Sequence, residues 1–157
     1  MTNNDIIKRV RYIFDFTDDQ MIAIFESADY KVTRSLVSDW MKSDDDIDFK
    51  NIHDDQLATF LNGLINDRRG KRDGPQPKPE KILDNNTILK KFKIALNFKT
   101  EDIQEIFKLA GKPISPHEIT AFLRNPKQNQ YRPFLDQYLR NFLNGLQVKF
   151  RGEKDVK

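Results

Sequence analysis

Phe60-Leu61-Asn62-Gly63-Leu64 recurs letter for letter as Phe142-Leu143-Asn144-Gly145-Leu146, 82 positions further along a chain of 157 residues. The same offset pairs Asn3-Asn4 with Asn85-Asn86, Ile6 with Ile88, Lys8 with Lys90 and Phe16 with Phe98, without a gap. It also pairs Ile24-Phe25 with Ile106-Phe107, Ala28 with Ala110 and Arg69-Gly70 with Arg151-Gly152. One fixed period, held from the beginning of a segment to its end, marks a duplicated structural unit. The chain therefore divides into a first repeat (1–70), a linker (71–84), a second repeat (85–152) and a tail (153–157). Three prolines and a glycine between Lys71 and Lys81 make the linker read as an extended tether.

Each repeat reads as helices. Ile6, Ile7, Val10, Ile13 and Phe14 recur at the 3.6-residue period, with Asn4 (and Asn86 in the second repeat) placed to cap the first turn. A second helix follows Thr17-Asp-Asp-Gln20, which has capping-box spacing, and its counterpart follows Thr100-Glu-Asp-Ile103 and stops at Gly111. Ser115-Pro116-His117-Glu118 sets a capping hydroxyl, a proline at the first helical position and a returning carboxylate in the right order for a third. After an irregular stretch (42–53, or 124–132), a long fourth helix is expected from about Asp54 to Arg69 and from about Pro133 to Phe150. No run alternates like a strand. The expectation is an all-α protein of about eight helices: a tandem four-helix unit with pseudo-two-fold symmetry and the fourth helices central.

The Asn-Gly within the fourth helix is costly, because mid-helix glycine loses about 0.5–1 kcal/mol relative to alanine. Gly63 and Gly145, with Asn62 and Asn144 beside them, are read as a close helix-packing position. If the two glycines meet across the symmetry axis, that position is the interface between repeats.

The Asn-Asn-x-Ile openings, the paired Phe-Leu-Asn-Gly-Leu motifs and the Arg-Gly endings resemble the YehS-like family of short two-repeat bacterial proteins. The resemblance covers nearly the whole chain. It implies a bacterial cytoplasmic protein of unknown function and assigns no catalytic residue.

Composition removes several chemistries. With no cysteine and only His53 and His117, no disulfide framework, thiolate nucleophile, or thiolate or histidine-rich metal site is expected. Neither a secretory leader nor an apolar run near the roughly 18 residues of a membrane span is seen, so a cytoplasmic location away from membranes is expected. The run Asp44-Asp45-Asp46-Ile47-Asp48 lacks the glycine and closing glutamate of a calcium-binding hand and reads as a solvated loop. His53 beside Asp54 and Asp55, or His117 beside Glu118, are residue types of general acid–base catalysis. Each histidine lacks a counterpart in the other repeat, and no nucleophile elbow or phosphate-binding glycine loop accompanies them. No enzymatic activity and no cofactor are expected.

Charge differs sharply between the repeats. Residues 1–70 hold nine Lys/Arg against fourteen Asp/Glu, whereas residues 71–157 hold eighteen against ten. Lys8-Arg9-x-Arg11 and Lys90-Lys91-x-Lys93 form equivalent basic stripes on the first helices, joined as candidates for anion contact by Arg68 and Arg69. Val32–Met41 and Ile114–Leu123 are similar to the turn and recognition helix of helix-turn-helix proteins. The turn after Gly111 reads as about two residues too long, however, and groove-facing positions would include Asp39 or Glu118, which phosphates repel. The functional expectation is a non-enzymatic binding module with a protein partner. A helix-turn-helix-like DNA or RNA binder using the basic second repeat is the alternative.

Overall fold

The computed structural model describes residues 1–152, and the tail at 153–157 lies outside the described residues. Eight helices occur in order: α1 (Asn3–Phe14), α2 (Asp18–Ser27), α3 (Arg34–Met41), α4 (Asp54–Arg69), α5 (Asn85–Ala95), α6 (Thr100–Leu109), α7 (Pro116–Leu123) and α8 (Asp136–Arg151). Every helix of the second set begins 82 residues after its counterpart, and no strand occurs among the described residues. The chain forms two compact units, the first Met1–Leu83 and the second beginning at Asp84.

In the first unit α2 crosses α4 at Gly63. A methyl group on Gly63 would lie 2.0 Å from the Ile24 carbonyl oxygen, so only glycine permits this approach. Gly145 meets Ile106 in the same way, again at 2.0 Å. Each glycine thus faces a helix of its own repeat, and the close packing expected of it is internal to that repeat. Around the first crossing Phe25 packs at 5.4 Å from Trp40 and 5.3 Å from Phe60. In the second unit Phe142 lies 5.8 Å from Phe92 and 5.9 Å from Phe107.

Local sequence rules locate the starts of α2, α4 and α7. Thr17 and Gln20 form a reciprocal box at α2, as Ser115 and Glu118 do at α7. Three expectations change. Thr2 and Asp84, not Asn4 and Asn86, cap α1 and α5: Thr2 Oγ accepts from Asp5 N–H, and Asp84 Oδ1 from Thr87 N–H. Thr100 is the first residue of α6 rather than its cap; Lys99 holds that position, and its N–H donates to the Asp102 carboxylate at 2.7 Å. Finally, α8 begins at Asp136, three residues after Pro133.

Asn4 and Asn86 explain that last shift. Both are buried inside their helices' first turns. The Asn4 amide donates to the carbonyls of Trp40 (3.0 Å) and Lys50 (2.9 Å), while its oxygen accepts the Ile52 N–H at 3.1 Å. Asn86 does the same for Phe122 (2.9 Å), Arg132 (2.9 Å) and Phe134 N–H (2.9 Å). One side chain therefore satisfies three main-chain groups of the returning loop, which buried backbone requires. Because the Phe134 N–H belongs to this clamp, the helix starts only after it. Asn3 and Asn85 add a second tie, donating to Asp54 (2.7 Å) and Asp136 (2.8 Å) at the starts of α4 and α8.

The linker is irregular, as its prolines dictate, and most of it is held to the first unit. Asn66 donates to Gln76 Oε1 at 2.9 Å, Lys71 lies 3.3 Å from Asp29, and Leu83 N–H donates to Asp54 at 2.9 Å. No described helix is long and apolar enough to cross a membrane.

Candidate interaction surface

The two basic stripes share a register and differ in environment. In the first repeat Lys8 is half-buried: its ammonium donates to the Lys42 carbonyl at 2.7 Å and sits 5.8 Å from the Phe49 ring centroid. Arg11 pairs with Asp18 at 2.7 Å, and its Nε donates to the Phe16 carbonyl at 3.1 Å. Arg9 is half-buried, and desolvation works against its charge. This stripe is therefore not a free solvated face; its long side chains lie along the unit and fasten α1 to the α3 terminus and the start of α2. Arg68 packs over the Phe14 ring at 5.2 Å, and Arg69 is exposed in the last turn of α4.

In the second repeat Lys90, Lys91 and Lys93 are also half-buried. Lys90 and Lys93 enter no ion pair among the described residues. Asp18 and Asp19 of the first repeat have Thr100 and Glu101 as counterparts, so the carboxylate that holds Arg11 is gone at the position facing Lys93.

The helix-turn-helix likeness changes once α3 and α7 are placed. Six residues separate Ser27 from Arg34, and six separate Leu109 from Pro116, against the three or four of a DNA-reading turn. Val37 and Trp40, like Ile119 and Phe122, are core residues. Arg34 is engaged by Asp18 and Asp19, and the Glu118 carboxylate accepts from Ser115 N–H at 3.1 Å. Asp39, expected to face a groove, is only 8% exposed. Its carboxylate lies 2.6 Å from Lys42 Nζ and 3.5 Å from Lys50 Nζ.

The hydrogen bond from Lys42, aided by Lys50, holds the Asp39 carboxyl below the usual carboxylate range. A depressed folded-state pKa contributes stability that is present above the unfolded value, near 3.9, and is lost as pH falls through the folded value. Asp39→Asn is therefore expected to lower the melting temperature of the first unit at neutral pH. The difference from the parent should begin to narrow only as pH falls below about 3.9 and go on narrowing through the lower folded-state value, and a gap unchanged between pH 5 and pH 2 would show that packing, not charge, is the cause.

Among the described residues neither histidine side chain makes a hydrogen bond or ion pair to a carboxylate. His53 occupies the cap position of α4 with an exposed side chain, while neighbouring Asp54 is committed to Asn3 and Leu83. His117 is exposed on α7. The acidic run forms an exposed loop in which Ile47 is 97% exposed, and the second repeat has Pro126–Gln130 there.

A family model described as "Protein of unknown function (DUF1456)" matches residues 3–70 and again 85–152. A relative from Escherichia coli (strain K12), "Uncharacterized protein YehS", is 37% identical over 150 residues, covering 95% of this chain and 96% of the relative. No solved structure matches. The duplicated helices, the paired glycine crossings and the matched model over both repeats agree: the chain belongs to the DUF1456 family, whose bacterial relative YehS shares its full two-repeat length.

Proposed function

We propose that this protein is a non-enzymatic adaptor whose second repeat receives an acidic segment of another protein. The observation that carries the reading is the contrast between equivalent cations: Lys8 and Arg11 are engaged within their own repeat, whereas Lys90 and Lys93 are not paired among the described residues. Unpaired positive charge steers anionic partners and sets specificity at an interface rim. DNA or RNA binding draws support from the same excess of charge. It is the weaker reading, since neither α3 nor α7 offers a free reading helix.

The test compares the full chain with Lys90→Gln/Lys93→Gln as baits in the native lysate. The double variant should stay within about 0.5 kcal/mol of the parent in stability, because neither ammonium makes an internal ion pair and glutamine keeps most of the packed aliphatic stem, and it should lose an acidic protein partner. Lys8→Gln/Arg11→Gln should instead lower the melting temperature, because it removes internal contacts. Retention of every partner by the first variant would overturn the reading. Binding of random duplex DNA, with a salt slope reduced by about 1.8 on removing two phosphate contacts, would establish the nucleic-acid alternative.

A further inference from the structure

The two repeats differ most informatively at one buried point. In the first repeat Asp39, in the last turn of α3, sits between Lys42 and Lys50. The offset of 82 places Ala121, Arg124 and Arg132 at those three positions. Both cations persist, now as arginines, and the carboxylate between them has become a methyl group.

The main chain around this point is the same in both repeats. Lys50 N–H donates to the Asp39 carbonyl at 3.3 Å, and Arg132 N–H donates to the Ala121 carbonyl at 3.2 Å. Lys42 and Arg124 cap their helices at φ −68°, ψ 162° and φ −69°, ψ 159°. Asn4 and Asn86 grip equivalent carbonyls on either side. Asp39 is 8% exposed and Ala121 6%. The scaffold is therefore set for the same ionic triad, and only the anion is missing at position 121.

No described residue of the second unit replaces it. Arg124 Nε is buried and donates to no group among the described residues. Arg132 is exposed and rests over Phe122, the neighbour of Ala121, at 6.0 Å from the ring centroid. Four carboxylates are occupied elsewhere: Asp84 caps α5, Asp102 accepts from Lys99 N–H, Glu118 accepts from Ser115 N–H and Asp136 accepts from Asn85. Neither Glu101 nor Glu105 pairs with Arg124 or Arg132 among the described residues.

We infer that Arg124 and Arg132, beside Ala121, form a receptor for one carboxylate of an acidic protein segment, seated where the Asp39 carboxylate sits in the first repeat. This rests on the adaptor reading and gives it an address. The group already held at the equivalent point is a carboxylate, and a planar guanidinium fork matches carboxylate oxygens in pairs, which the lysines it replaces do not. The first repeat supplies its own anion and is closed to such a guest; the second accepts one from outside.

The experiment supplies the anion within the chain. Ala121→Asp should recreate the triad, with Ala121→Asn as the uncharged control of equal size. With no ligand present, the Asp variant should melt roughly 3 °C above the Asn variant, an advantage that shrinks with added salt. A fluorescent hexaglutamate peptide at low salt should bind the parent and Ala121→Asn alike. Binding should be at least about tenfold weaker to Ala121→Asp, whose own carboxylate occupies the place and repels the guest. Equal melting of the two variants, or equal peptide affinity for both, overturns the receptor. If hexaglutamate does not bind the parent while lysate capture still depends on Lys90 and Lys93, the receptor is wrong and the adaptor reading stands. If a short random DNA duplex binds in the peptide's place and Ala121→Asp abolishes it, the guest is a phosphate and both readings give way to nucleic-acid binding.

Discussion

Gly63→Ala and Gly145→Ala are each expected to destabilise their repeat by about 2–3 kcal/mol, although alanine is the better helix former by about 1 kcal/mol. The new methyl carbon would lie 2.0 Å from a main-chain carbonyl oxygen, that of Ile24 or Ile106, which no rotamer change can relieve. The helices must separate, and separation opens the aromatic core behind them, where Phe25 meets Phe60 and Phe107 meets Phe142. In a unit of this size the loss corresponds to roughly 10 °C in melting temperature. Thermal denaturation of the two single variants checks it, and leucine at either position should be worse. A rise in melting temperature with alanine would mean that helix propensity outweighs the contact and that the crossings are looser than described.

A loss of similar size should follow Asn4→Ala or Asn86→Ala. Each removes one side chain and strands two carbonyls and one N–H of the returning loop: Trp40, Lys50 and Ile52 in one repeat, Phe122, Arg132 and Phe134 in the other. At about 1 kcal/mol or more for each buried group left unpaired, the penalty reaches about 3 kcal/mol, offset only slightly by the better helix propensity of alanine. Hydrogen exchange gives a local readout, because the Ile52 or Phe134 amide should lose protection along with global stability. Had these asparagines been helix caps, the loss would be nearer 1 kcal/mol and those amides would be unaffected. Asn4→Asp should be no better than alanine at neutral pH, since a carboxylate can accept from Ile52 but cannot donate to either carbonyl.

The candidate surface was half legible in advance. Lys90, Lys91 and Lys93 could be picked out by type and spacing, but Lys8 and Arg11 have the same pattern and are engaged internally. What separates the stripes is what each cation meets across the fold: the Lys42 carbonyl and Phe49 ring for Lys8, and Asp18 of α2 for Arg11. Arg124 and Arg132 were missed because, read along the chain, they are two unremarkable cations in an irregular stretch. The signal was nevertheless present: at the shared offset Asp39 aligns with Ala121 while both flanking cations align with cations. Its meaning depends on Asp39 being buried between Lys42 and Lys50, which helical periodicity does not reveal.

By itself the sequence determined the duplication, the all-α class, the eight helices and the starts of α2, α4 and α7. These follow from short-range physics: apolar period, capping hydroxyls, proline and glycine act within a few residues of where they stand. Thr17 with Gln20 and Ser115 with Glu118 are such cases, and the structure keeps both. Only the tertiary structure decided what Asn4, Asn86 and Asp39 do. A polar residue near a helix end is equally suited to its own backbone, to water or to a distant loop, and burial chooses among them. For Asn4 the choice is made 36 to 48 residues away, where the chain returns with unpaired main-chain groups that need it.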